Sequence, residues 1–280
     1  MECAPLLQHI AVISETNSLS FNEVALVGAA LQKQVMRDFG PAWNIQATVD
    51  AFATLDEVPI DYWPIIILDG IHMQGIPGIH LDKDGHPFAL VQLSAAWSLT
   101  ASHECLEMLG NPEGNNVRAG LSPVREQGRV AFLVEVCDPS ESGEFAYTVN
   151  GITVSDFYFP NYFDPVAIPG MRYSFTGAIT KPRQVLKDGY LSWHDPVTDH
   201  WFQEKFFGAQ PELRDLGVLT HAEGSIRTQI YRKTPEALKV RIPGQNLVAA
   251  ANATMDKVAV SSKAKAKILR AQIDGLLGKA

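Results

Sequence analysis

Between residues 10 and 110 the chain alternates short apolar runs with two stretches of helical period. No other feature narrows its fold so much. "IAVIS" (10–14) ends in polar turn residues and reads as a strand. Ser18 or Ser20 could cap the next segment, and Glu23 stands three residues after Ser20, the spacing of a capping box. Val24, Leu26, Val27, Leu31, Val35 and Phe39 then recur at helical spacing. That spacing predicts a helix over 21–38, stopped by Gly40-Pro41. "NIQATVDAF" (44–52) alternates as a strand does. "WPIIILDG" (63–70) and "FALVQL" (88–93) are the continuous runs of buried strands. Between them, "GIHMQGIPGIHLDKDGHP" predicts a loop or irregular hairpin. "SAAWSLTASHECLEMLG" (94–110) predicts a helix ended by Gly110 and Pro112. The order strand, helix, strand, strand, strand, helix predicts an α/β (α+β) fold with a mixed sheet.

Past a polar loop (111–128), "RVAFLVEVCDP" (129–139) reads as a strand broken at Asp138-Pro139. "YTVNGITVSDFYFP" (147–160) reads as a hairpin turning at Asn150-Gly151. Residues 161–232 show no period and predict loops and short strands. Residues 243–262 read as a linker. "SSKAKAKILRAQIDGLLGKA" reads as a helix whose stripe of Leu269, Ile273, Leu276 and Leu277 suits self-association into a homo-oligomer. The expected division is 1–140, an α/β unit; 141–242, a β-rich elaboration; and 243–280, linker and amphipathic helix. A chain of 280 residues can bury a substantial core. Its net charge of −8 speaks against nucleic-acid binding. Cys3, Cys105 and Cys137 are too scattered for a disulfide framework, so a reducing, cytoplasmic setting is expected. The N-terminus lacks the pattern of a signal peptide, and no apolar run is long enough to predict a membrane span.

The chemistry concentrates in "TASHECLEMLGNPEG" (100–114). On a helix, His103 and Glu107 share one face, and imidazole nitrogen and carboxylate oxygen are both good zinc donors. Glu104 is turned about 100° away. It would stand beside a metal, where a general base belongs. For a third ligand, Asp138 and Glu135 at the end of "VEVCDP" are preferred, followed by Glu113. The competing reading is a polar helix whose side chains hydrogen-bond one another. His72, His80 and His86 could touch substrate or supply a ligand, although loop histidines are commonly exposed and inert. His194, Asp195, Asp199 and His200 could form a second metal site or simply cap a turn. Tyr147, Tyr158 and Tyr162 could stabilise an oxyanion or pack. Cys105 and Cys137 read as core.

The His103-Glu104 helix following strand 87–93, with Gly110 three residues past Glu107, resembles the zincin metallopeptidases over residues 10–140. "SHECLEMLGNP", "VEVCDP" and "GITVSDFYFPNYF" also resemble a group of bacterial and phage-encoded proteins. The zincin resemblance implies a twisted sheet with an active-site helix, His103 and Glu107 as ligands, and Glu104 activating a metal-bound water. It also implies peptide or protein substrate held along strand 87–93 by β-augmentation. Zincins carry His where this chain has Glu107. The extra negative charge weakens zinc as a Lewis acid and makes manganese or another oxygen-loving ion plausible. The same substitution suits a catalytically inactive scaffold serving in assembly or binding.

Overall fold

Continuous apolar runs need cover on both faces, and the first half of the chain supplies it. The computed structural model describes residues 7–71, 77–83, 85–234 and Lys267. Its elements up to the first site residues are β1 (Leu7–Ser14), α1 (Phe21–Lys33), α2 (Gly40–Trp43), β2 (Gln46–Phe52), β3 (Tyr62–Leu68), β4 (Gly78–Lys83), β5 (His86–Gln92) and α3 (Trp97–Gly110). The first sheet has the order β2-β1-β3-β5-β4. Its inner strands run parallel, and β4 lies antiparallel to β5. Ile10, Val12, Ile65, Ile67, Ala89 and Val91 pack with α1 and α3 in one cluster. Ile66, Phe88 and Leu90 pack with Ile71 and Ile79 in a separate cluster. Fully burying each of these larger aliphatic side chains contributes roughly 1.5–3 kcal/mol.

The pairing corrects one expectation. Strand β5 is hydrogen-bonded to β3 on one side and β4 on the other, so 87–93 is interior. The edge strand is β4, inside the stretch expected to be a loop or hairpin. Its Gly and Pro residues masked a short run of alternation, Ile79 to Leu81.

The first helix follows its capping box as predicted, with Ser20 and Glu23 bonded reciprocally. It does not stop at Gly40-Pro41. The chain winds through a wider π-helical stretch, Gln34–Phe39, and a last turn that contains Pro41 near its start. It ends at Asn44, which adopts the left-handed conformation. The wide turn carries Gln34 inward. Its Nε2 donates to Ser155 O (3.0 Å), and its Oε1 accepts from Ser102 Oγ on α3 (2.7 Å). Ser102 Oγ in turn accepts from Ser155 N–H (2.9 Å). This buried network fixes α3 against α1.

The remaining elements are β6 (Val117–Leu121), β7 (Arg129–Leu133), β8 (Tyr147–Val149), β9 (Ile152–Val154), β10 (Tyr190–Asp195), β11 (His200–Lys205), β12 (Glu212–Gly217) and α4 (Ile226–Lys233). A second, antiparallel sheet has the order β12-β11-β10-β7-β6. It joins strands from both sides of residue 140, so the expected boundary there runs through a sheet. Strand β7 ends at Leu133, earlier than expected, and the chain to Asp138 is irregular. The β8–β9 hairpin turns at Asn150 and Gly151, both at positive φ, as its sequence requires. Helix α4 lies in the stretch expected to hold only loops and strands. Its Ile226 and Ile230 pack on Leu133, Trp201 and Leu216 of the second sheet. Among the described residues no helix is long and apolar enough to cross a membrane. The expected linker and terminal helix (243–280) lie outside the described residues, Lys267 excepted, and so does His72.

Candidate metal centre

Helix α3 is buried almost all round, so its polar residues need partners. One helical turn brings His103 and Glu107 together, with His103 Nε2 3.3 Å from Glu107 Oε2. The turn after β7 brings Asp138, whose Oδ1 lies 3.5 Å from the same nitrogen. A 3-10 turn, Asp138–Ser140, begins there. Its carbonyls press close on β10: a β-carbon at Gly189 would lie 2.7 Å from the Asp138 and Pro139 oxygens. Glycine is what lets β10 seat this turn.

Glu104 faces the edge strand. A β-carbon at Gly78 would lie 2.4 Å from Thr100 Cγ2 and 2.9 Å from Glu104 Oε1, so only glycine lets β4 settle onto α3 here. From β4, His80 enters the cluster fully buried. Its Nδ1 is 3.4 Å from Glu104 Oε2 and 3.7 Å from Glu107 Oε2. His80 is therefore no exposed loop histidine, whereas His86 is exposed at the start of β5.

Arg227, on α4, is the residue that sequence reasoning missed. Its guanidinium reaches three carboxylates. Nη1 donates to Glu107 Oε2 at 2.9 Å and also to Glu135 Oε2, and Nη2 is 3.6 Å from Glu104 Oε2. The backbone holds it there: Arg227 N–H donates to Gly114 O (3.0 Å), and Ile226 N–H to Asn115 Oδ1 (2.9 Å). The other oxygen of Glu135 accepts from Asn111 Nδ2 (2.6 Å). Asn111 thus turns back after α3 to hold Glu135. Glu113 is exposed and stays away. Glu141, also unforeseen, follows the 3-10 turn and joins His103 and Asp138, their ligand atoms all within 4.8 Å of one another. The spacing D-P-S-E was its only signal.

The charges do not balance. Glu104, Glu107, Glu135, Asp138 and Glu141 converge on one permanent cation, Arg227, and two imidazoles. The direction of each pKa shift follows from the imbalance. Burial and the charge of Glu107 push the Asp138 carboxyl up to about 8. Burial and Asp138 raise Glu141. Burial would raise Glu107, but His103 and Arg227 overcome it and hold that carboxylate far below its usual range. Burial would lower His103, yet Glu107 and Asp138 outweigh it and raise the imidazole well above its ordinary value. His80 is lowered by burial and by Arg227.

A cleft of about 610 Å³ opens over His103, Glu104, Asp138 and Glu141, walled by Gly78, Leu99, Tyr190 and Tyr231. Tyr231 ties α4 to the edge strand by donating to Gly78 O (3.0 Å). The structure thus brings together all four expected ligands, His103, Glu107, Glu135 and Asp138, with Glu104 among them. The other candidates lie elsewhere. His194 pairs with Asp199 and His200 with Asp215, while Asp195 caps the β10–β11 turn through Val197 N–H and Thr198 Oγ1. Tyr147 bonds Asp38, Tyr162 bonds Gln184 O, and Tyr158 stacks on Tyr162. Cys105 is core, its thiol pushed up to about 12 by burial. Among the described residues, every cluster with metal-ligand spacing includes a residue of α3. No protein-family model, curated protein or solved structure matches the chain.

Proposed function

We propose that this chain is a divalent-cation-dependent hydrolase of the zincin type that cleaves an amide bond in an extended peptide. One observation carries the reading. Asp138 is 2 % exposed, its Oδ2 has no hydrogen-bond partner, and it lies beside His103 on the floor of the cleft. A carboxylate so placed calls for a proton or a cation. Nitrogen with carboxylate oxygen suits zinc, and the excess of oxygen suits manganese as well. The residues fit such an ion, with His103 and Asp138 holding it alongside a neighbouring carboxylate. A bound ion of this kind acts as a Lewis acid and makes water more acidic.

The chain's own groups supply the rest. Glu104 faces the cleft, takes a proton from the attacking water and returns it to the leaving amine. Among the described residues strand β4 is the edge strand, beside Glu104, and an extended peptide adds to it as a further strand, displacing the Tyr231 hydroxyl from Gly78 O. Tyr190 and Tyr231 wall the cleft, the Tyr231 hydroxyl being held by Gly78 O. The zincin likeness belongs to this proposal and is supported by the mixed sheet whose edge strand lies against the His-Glu helix.

A second reading, a non-catalytic assembly or binding protein, is favoured by Arg227, which already gives Glu104, Glu107 and Glu135 a positive partner. Full-length protein loaded with zinc or manganese and assayed on a mixed peptide library separates the two. Cleavage that drops ~100-fold or more in Glu104→Gln, with cation content unchanged, supports the hydrolase. Cleavage untouched by that substitution overturns Glu104 as the base, and no cleavage from protein carrying one equivalent of cation favours the second reading.

A further inference from the structure

We infer that the cation at this site is held by His103, Asp138 and Glu141, and that Glu107, at the motif's second ligand position, serves as an anchor behind them, locked by Arg227. The inference rests on reading the site as cation-dependent.

Glu107 is already committed. It is completely buried and does not line the cleft. Its Oε1 accepts Cys137 N–H (3.2 Å), and its Oε2 accepts Arg227 Nη1 (2.9 Å). A cation on Oε2 would share that oxygen with a guanidinium in a medium of low dielectric, where like charges repel strongly. Glu135 is committed in the same way, between Asn111 and Arg227. Each carboxylate has one oxygen on Arg227 and the other on a neutral N–H donor, so neither can turn to an ion without giving up a buried hydrogen bond or charge pair.

Glu141 stands in the opposite condition. A 3-10 turn has three residues per turn, so positions three apart lie one above the other. Asp138 and Glu141 therefore present their carboxylates side by side, and both line the cleft with His103. The three ligand atoms lie within 4.8 Å of one another. Asp138, which lines the cleft, has its Oδ2 buried without a hydrogen-bond partner. Three protein ligands around an open side also match the usual pattern of a catalytic ion. Arg227 then has a defined task. It fixes Glu107 so that the carboxylate steadies His103 one helical turn away without entering the coordination.

The test is cation affinity, read without any substrate. Zinc is titrated into the full chain against a chromophoric chelator, and manganese binding is followed by electron paramagnetic resonance. Circular dichroism checks the fold of each variant. His103→Ala, Asp138→Asn and Glu141→Gln should each weaken binding by ~100-fold or more. The combined variant Glu107→Gln, Glu135→Gln and Arg227→Met removes the arginine together with both carboxylates it closes, and so strands neither. It should keep one equivalent and lose ~10-fold or less. Wild-type affinity in folded Glu141→Gln, with binding abolished in the folded combined variant, would overturn this ligand set and leave the hydrolase reading to the Glu104→Gln assay. Wild-type protein that takes up neither ion overturns the ligand set directly, and peptide cleavage by that same ion-free protein would then show hydrolysis without it.

Discussion

The carboxylates at this site fall into two layers that solve the same problem differently. In the inner layer, Glu107 and Glu135 are buried and closed by Arg227, Asn111 and a backbone N–H. In the outer layer, Asp138 and Glu141 face the cleft and lack a fixed cation. The inner layer is closed by fixed partners, and the outer layer is left holding protons, its Asp138 carboxyl pushed up to about 8 by burial and by Glu107. Structure and chemistry are thereby divided between groups only a few ångströms apart.

The sharpest way to break this contrast is to remove the inner cation. Arg227→Ala strands Glu107 and Glu135 in the interior and should destabilise the fold by about 3–5 kcal/mol, measured by urea unfolding. A loss below about 1 kcal/mol would mean that the inner layer is as open to water as the outer one.

A smaller effect tests what holds α3 in place beneath both layers. Ser102→Ala leaves Gln34 Oε1 and Ser155 N–H without their shared partner. About 1–3 kcal/mol should be lost, with the unfolding slope unchanged. An unaltered midpoint would show that α3 is seated by apolar packing alone.

The outer layer should reveal itself through pH. The folded carboxyl of Asp138 sits at about 8 against an ordinary 3.8, so between those values the folded protein keeps a proton that the unfolded chain releases. Stability from this group falls as pH rises through that window. The raised His103 acts in the same direction, its contribution present below 6.5 and lost as pH climbs past its folded value. Glu107 works oppositely and loses its contribution only in acid. Cation-free protein should therefore show a urea midpoint that declines from pH 6 to pH 8, with a shallower decline in Asp138→Asn. A rising midpoint over that interval would contradict the imbalance of charge.

Much of the first sheet and of α3 could be read from the sequence because each rests on local periodicity. Continuous apolar runs gave β1, β3 and β5, and a capping box marked the start of α1. The edge strand was hidden because β4 is short and sits among Gly and Pro. The end of the first helical run was misplaced because, past the π-helical stretch, a last α-helical turn can hold a Gly-Pro pair at its start when the glycine admits close backbone approach. A β-carbon at Gly40 would lie 2.5 Å from Ile45 O. His103, Glu104 and Glu107 were legible from helical spacing, and Asp138 from a strand break. Arg227 was not, because it meets its partners at sequence separations of 92 to 123 residues. Nothing in "SIRTQIYRK" marks one arginine as buried. Glu141 was within reach of the D-P-S-E spacing, but a 3-10 turn had to be foreseen first.

The position of Arg227 in the chain also sets an order of assembly. During synthesis, α3 and the Asp138 turn leave the ribosome well before α4. Over that interval the inner carboxylates have no arginine, and β7 has no β10 to seat the turn behind it. A nascent chain can thus form its first sheet early, yet it completes the site only when α4 swings back across the second sheet. Whatever chemistry the cleft performs is withheld from the growing polypeptide by the order of its own residues.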